Sequence, residues 1–174
     1  AFKAGFGRIA IMIILGITGS IGMGKSTIGG MLKTLGVPIY DSDQIAREVM
    51  QEKGAAMPAV RAAFPYFEYP QIYGPLKKRR RSIDRAKLAA LVFADGDEAR
   101  IEREKLEAII HPLVREGQQK FINAMNRMGK NIVALDIPLL FEKALEHTVD
   151  NTFVVSAPYH VQRARVLARP GMNE

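Results

Sequence analysis

The chain has 174 residues, 48% apolar and 25% charged, enough for one α/β domain with a real core. It contains no cysteine, which excludes disulfides, thiolate metal sites and a cysteine nucleophile and fits a reducing, cytoplasmic setting. Its net charge of +7 calls for anionic partners, either nucleic acid or phosphorylated small molecules.

Lys3 and Arg8 precede an apolar stretch over 9–17, a pattern superficially like a secretion signal. No A-x-A-like cleavage site follows, and cleavage there would remove the glycine-rich segment that comes next. The stretch is also far short of the roughly 20 residues a membrane span needs, so no membrane partner is expected. Residues 12–17 are read instead as the first strand of a parallel sheet, with 1–11 an extension ahead of a start at Met12.

Residues 19–26 read Gly-Ser-Ile-Gly-Met-Gly-Lys-Ser and match G-x-x-x-x-G-K-[ST], the phosphate loop of P-loop NTPases. Gly19, Gly22 and Gly24 let successive backbone N–H groups turn inward into an anion-binding nest. The following helix adds the positive end of its dipole. Lys25 then reaches the outer phosphates, and the Ser26 hydroxyl can hold Mg²⁺. That helix is predicted over 27–35, with Ile28, Met31, Leu32 and Leu35 on one face, ending at Gly36.

A second strand is predicted over 37–40, then Asp41-Ser42-Asp43 and a helix over 44–51. Asp41 and Asp43 stand where an acceptor hydroxyl would approach a γ-phosphate, and a carboxylate there can accept its proton. Either acid can equally cap the next helix. Asp43 and Arg47 are four apart, which suits a surface ion pair or an acid beside a phosphate-binding arginine.

Pro58, Pro65, Pro70 and Pro75 break up residues 54–81. A short helix is predicted through Val60 and Phe64, then an irregular, mobile excursion over 66–81. Its five consecutive basic residues, 77–81, are best read as a solvated loop, then as a phosphate-steering edge, and last as a nucleic-acid contact, since no aromatic residues are interleaved. Asp84 is predicted to cap a helix over 85–94, with Leu88, Leu91 and Val92 inward. A long helical region over 98–128 should kink or restart at Pro112. His111 and Arg115 share a face of it and read by default as a surface pair.

A third strand over 132–136 ends in Asp136, either a Walker-B-type acid for Mg²⁺ or a helix cap. A fourth strand is predicted over 152–156. The near-continuous apolar strands predict a sheet covered on both faces. No second core is expected, and 44–128 is read as a helical subdomain inserted into an α/β core of about 12–43 and 130–158. Arg165 and Arg169, with Gln162 before them, suit a mobile flap over a nucleotide, beginning at about 159 and running to 174, or a charged solvent face.

The absence of D-x-x-G and N-K-x-D-type signatures argues against a GTPase. The motifs together resemble the dephospho-CoA kinase family, over about 12–174. They are the loop at 14–26, Val37-Pro38 with Asp41-Ser42-Asp43 and Ile45-Ala46-Arg47, and Ile83-Asp84-Arg85 with Leu88 and Val92-Phe93. Next come His111-Pro112-Leu113-Val114-Arg115, Asp136-Ile137-Pro138-Leu139-Leu140-Phe141-Glu142, and Ser156-Ala157 with Gln162, Arg165 and Arg169.

The resemblance implies a single P-loop kinase domain, a three-layer α/β sandwich with an inserted substrate subdomain and a lid. It implies transfer of the ATP γ-phosphoryl group to the 3′-hydroxyl of dephospho-CoA, with Asp43 as general base. It also implies nucleotide contacts from Gly22, Met23, Gly24, Lys25, Ser26 and Thr27, and acceptor contacts from Arg47, His111, Arg115, Leu140 and Phe141. Arg165 and Arg169 would belong to the lid. The family pattern continues past the stretch ending at Glu174 with more lid, a helix and a last strand. The excursion over 66–81 is longer and more basic than that pattern and carries no assigned role. Alternatives are another small-molecule P-loop kinase, for a nucleotide or sugar acid, or a basic nucleic-acid-binding ATPase. A monomer or small homo-oligomer is expected.

Overall fold

A computed structural model describes residues 12–76 and 81–169. The extension 1–11, most of the basic run and the last lid residues 170–174 lie outside the described residues. The chain divides into two compact units, residues 1–43 with 118–174, and residues 44–117.

The first unit is built on a parallel sheet in the order β2-β3-β1-β4. Strand β1 spans Ile13–Thr18, β2 Ile39–Asp41, β3 Ile132–Asp136 and β4 Asn151–Val154. β1 lies between β3 and β4, and β3 between β1 and β2. Leu15, Ile17 and Ala134 form a buried cluster, with Leu32, Val37 and Ile39 packed against it.

Helix α1 spans Lys25–Thr34 and ends as the glycine predicts. Gly36 adopts φ 78°, its N–H bonds to Lys33 O at 2.9 Å, and Val37 N–H bonds to Leu32 O at 3.0 Å. This paired closure satisfies the last carbonyls and turns the chain into β2. The predicted apolar face is only half used. Ile28 and Leu32 are partly buried, but Met31 and Leu35 are exposed.

β4 also differs from expectation. It has β1 as its one strand neighbour among the described residues, and Phe153 and Val154 are exposed. An apolar run shows that a strand can be buried, not whether it stands at the centre or the edge of the sheet. Helix α6, Tyr159–Leu167, follows β4.

The second unit holds α3 (Met57–Ala63), α4 (Arg85–Val92), most of α2 (Ser42–Val49) and the first two-thirds of α5 (Asp97–Arg127). Contrary to expectation it has its own core, with Val60, Phe64, Ile72, Leu88 and Val92 almost wholly buried. These residues are scattered over short elements between prolines, so no single periodic run announces them. Asp84 caps α4 as predicted, its Oδ1 accepting from Ala86 and Lys87 N–H at 3.0 and 3.3 Å.

The stretch after α3 is irregular but tied down. A 3₁₀ turn at Pro70–Ile72 leads to an antiparallel bridge between Tyr73 and Ile83. The Tyr73 hydroxyl donates to Phe64 O at 2.7 Å, and Asp84 N–H to Ile72 O at 2.8 Å. Helix α5 is continuous through Pro112. The lost bond costs about 3 kcal/mol, which packing of Leu106, Ile109, Ile110 and Leu113 against the unit's core offsets.

Candidate active site

The sheet delivers the phosphate loop at the carboxyl end of β1, where α/β sheets bind ligands. Gly24 sits at the N-cap of α1 with φ 97°, a left-handed conformation that suits glycine. Thr27 and Ile28 N–H groups bond back to Gly24 O at 3.0 and 3.2 Å. No side chain caps this helix end, so its positive pole faces the loop.

The loop is held from outside by the segment after β4. Val155 N–H donates to Thr18 O at 2.8 Å, and Ala157 N–H approaches Met23 Sδ at 3.1 Å. From α6, Gln162 Nε2 donates to Ile21 O at 2.9 Å and Arg165 Nη1 to Gly22 O at 3.3 Å. Gly22 is buried, and a Cβ there would stand 2.8 Å from Val166 Cγ2.

Lys25 points toward the end of β3. Its Nζ lies 2.7 Å from Asp136 Oδ1, with both side chains largely buried. The distance makes an ion pair, although its angles leave Oδ1 without a well-directed hydrogen bond. Asp41 pairs with Asp136 in strand register, and Asp43 lies in the first turn of the helix Ser42–Val49. Burial pushes the Asp136 carboxyl above its ordinary range. Lys25 opposes that shift, and the charges of Asp41 and Asp43 add to it. The negative charges of Asp41 and Asp43 thus reach Asp136, whose close ion-pair partner is Lys25.

These carboxylates, with the Ser26 hydroxyl in the first turn of α1, are donor types that suit a divalent cation arriving with nucleotide phosphates. No group of three or more His, Cys, Asp or Glu among the described residues could hold a metal unaided. This donor set suits Mg²⁺, which keeps waters and phosphate oxygens in its shell.

The structure gathers Gly19, Gly22, Met23, Gly24, Lys25, Ser26, Thr27, Asp43, Asp136 and Arg165 within the first unit. Ser26, Thr27, Asp43, Arg165 and Arg169 are exposed. Phe141 is also exposed, whereas Leu140 is fully buried, within 3.4 Å of the position of a Cβ at Gly16. Arg47, His111 and Arg115 belong to the second unit. Arg47 lies in the last turn of α2, and His111 Nε2 lies 3.5 Å from Glu107 Oε2 along α5. Asp41, named with Asp43 from the sequence as an acid at the strand end, pairs in register with Asp136. Gln162, named beside the two arginines, reaches the loop at Ile21 O, a link across 141 residues for which the sequence carries no signal.

No helix among the described residues is long and apolar enough to cross a membrane. Residues 13–174 match the family profile described as CoaE, dephospho-CoA kinase. The chain is 49% identical over 162 residues to a protein of Paramagnetospirillum magneticum named dephospho-CoA kinase, covering 93% of this chain and 70% of that one. A protein of the same name from Mesorhizobium japonicum is 48% identical over 163 residues, covering 94% and 75%.

Among solved structures, TT1252 from Thermus thermophilus superposes with a TM-score of 0.69 at 35% identity, covering 94% of this chain and 75% of that one. Dephospho-CoA kinase from Campylobacter jejuni superposes at 0.60 with 23% identity, covering 93% and 74%, a likeness of fold alone. The chain belongs to the dephospho-CoA kinase family.

Proposed function

We propose that this protein transfers the γ-phosphoryl group of ATP to the ribose 3′-hydroxyl of dephospho-CoA, giving coenzyme A and ADP, the last step of coenzyme A synthesis. The observation that carries this reading is the Lys25–Asp136 pair at the phosphate loop with Asp41 and Asp43 beside it, in a chain of this family.

The nest of Gly19 to Thr27 cradles the ATP phosphates, and Lys25 leaves Asp136 to reach the outer ones. The acceptor oxygen forms a bond to the γ-phosphorus as the bond from that phosphorus to the β–γ bridging oxygen breaks, and ADP leaves with that electron pair. Asp43, exposed on the first turn of α2, takes the hydroxyl proton. Ser26 and Asp136, the latter through water or directly, would hold Mg²⁺ together with the nucleotide, and the ion would supply charge neutralisation there. Arg165 and Arg169 act from the lid beginning at about residue 159, and their charge balances the transferring group.

The segment 44–128 serves as the substrate subdomain, offering Arg47, His111 and Arg115 to the acceptor. Phe141 presents the apolar surface, and the buried Leu140 backs it. The protein works as a single P-loop kinase domain in the cytoplasm, as a monomer or small homo-oligomer.

The relatives favour neither a kinase for nucleotides or sugar acids nor a nucleic-acid-binding ATPase. Incubation with ATP, Mg²⁺ and dephospho-CoA should yield ADP and a product heavier by one phosphoryl group. ADP release that responds only to a nucleotide or sugar acid would replace this acceptor with another.

A further inference from the structure

We propose that Gln162 is a positioning residue for the nucleotide phosphates, acting through the carbonyl of Ile21. The inference rests on the reading of the loop as an ATP site and adds a residue to it.

A phosphate nest works only if its N–H groups face inward. The peptide unit is planar and trans, so a C=O and the N–H of the following residue point in opposite directions. Fixing the Ile21 carbonyl therefore fixes the direction of the Gly22 N–H. Gln162 Nε2 holds that carbonyl from α6 at 2.9 Å. Gly22 has no side chain of its own to hold this direction and adopts φ 78°. A Cβ built there would stand 2.8 Å from Val166 Cγ2 and 3.0 Å from Gln162 O, so α6 lies directly against it.

Arg165 makes the neighbouring tie, to Gly22 O at 3.3 Å. It is a cation, and nucleotide phosphates compete for it. When Arg165 turns to them, its tie to the loop is lost. Gln162 is neutral, and phosphates compete for its amide far more weakly than for a guanidinium. It is then the side chain of α6 still fixing the loop while the arginine engages the ligand. This division explains why the helix that begins the lid docks on the loop through two different donors.

The test is equilibrium binding of ADP, which needs no acceptor. Gln162→Met keeps the length and removes the donor. Gln162→Glu turns an acceptor toward the Ile21 carbonyl. Gln162→His, assayed at about pH 8 where the imidazole is neutral, restores a donor of similar reach without adding a charge. Loss of one hydrogen bond predicts ADP binding about five-fold weaker for Gln162→Met, and more than about ten-fold weaker for Gln162→Glu. Gln162→His should return to within about two-fold of the parent. Amide exchange across 19–26 should quicken in Gln162→Met while melting temperatures stay close to the parent. In turnover, KM for ATP should rise with kcat little changed.

Unchanged ADP affinity in Gln162→Met overturns the inference. So does a uniform loss in all three variants that follows their melting temperatures, since that is a structural role only. If the parent protein itself fails to bind ADP, the nucleotide-site reading falls and this inference with it. A parent that binds ADP but does not phosphorylate dephospho-CoA removes the acceptor assignment and leaves Gln162 standing.

Discussion

Adding one methyl group at Gly22 tests how tightly the phosphate loop is held. Gly22 has φ 78°, where an L-residue pays roughly 1–2 kcal/mol. A Cβ there would lie 2.8 Å from Val166 Cγ2 and 3.0 Å from the backbone oxygen of Gln162. The valine methyl can rotate away, but the helix carbonyl cannot, so overpacking adds about 1–3 kcal/mol. The sum is about 2–5 kcal/mol for Gly22→Ala, and at about 2–4 °C per kcal/mol the melting temperature should fall by roughly 10 °C.

Gly30→Ala is the matched opposite. Gly30 lies inside α1 with nothing within 4 Å of an added Cβ. Alanine there should gain about 0.5–1 kcal/mol and raise the melting temperature by about 1–4 °C. Thermal denaturation followed by circular dichroism reads both. A Gly22→Ala protein that melts within about 2 °C of the parent, with unchanged ADP affinity, would show that α6 does not hold the loop at this glycine.

Three other outcomes follow from particular contacts. Tyr73→Phe removes the hydroxyl bonded to Phe64 O and leaves that carbonyl unpaired in the second unit's core, which should cost about 1–3 kcal/mol in denaturant unfolding. Lys25→Ala should weaken ATP binding and lower turnover by about 100-fold or more in a coupled ADP-release assay, since it removes the loop cation that pairs with Asp136. Asp136 has its folded pKa raised by burial above the ordinary 3.8. Between those two values the native state binds more protons than the unfolded state, so this group's contribution to stability is full below about 3.8 and is lost as pH rises through the folded pKa. Asp136→Asn should flatten that decline in melts recorded from pH 3 upward; an identical pH profile in the variant would remove Asp136 as its source.

The sequence made the strand, loop and helix of the phosphate site plain because each has a local cause. These are an apolar run, glycines at fixed spacing, and a Gly36 that closes the helix. Asp84 and the end of β3 at Asp136 were legible for the same reason. What stayed hidden depends on distant partners. Met31 and Leu35 carry the helical period of Ile28 and Leu32, yet they stand exposed. Phe153 and Val154 look like core residues and lie on a strand with one neighbour among the described residues. The stretch around Tyr73 has no periodicity, and its order comes from the bridge to Ile83 and the bond to Phe64. Helix α2 begins at Ser42 rather than Gln44, which puts Asp43 in its first turn and not in a loop. At the site, the motif identified Lys25 but not the 2.7 Å pairing with Asp136. Gln162 was visible as a letter beside two arginines, and its link to Ile21 was not.

Phosphotransfer at this site can be read by single-turnover transfer of labelled phosphate from ATP to dephospho-CoA, in the parent protein and in Asp43→Asn. The parent should form 3′-phosphorylated product with loss of ATP. The variant should bind ATP with the parent's affinity and transfer about 100-fold or more slowly, as expected when a general base is removed. Transfer at the parent's rate by Asp43→Asn would contradict the assignment of Asp43 as base. Absence of labelled product from the parent would contradict the phosphotransfer itself.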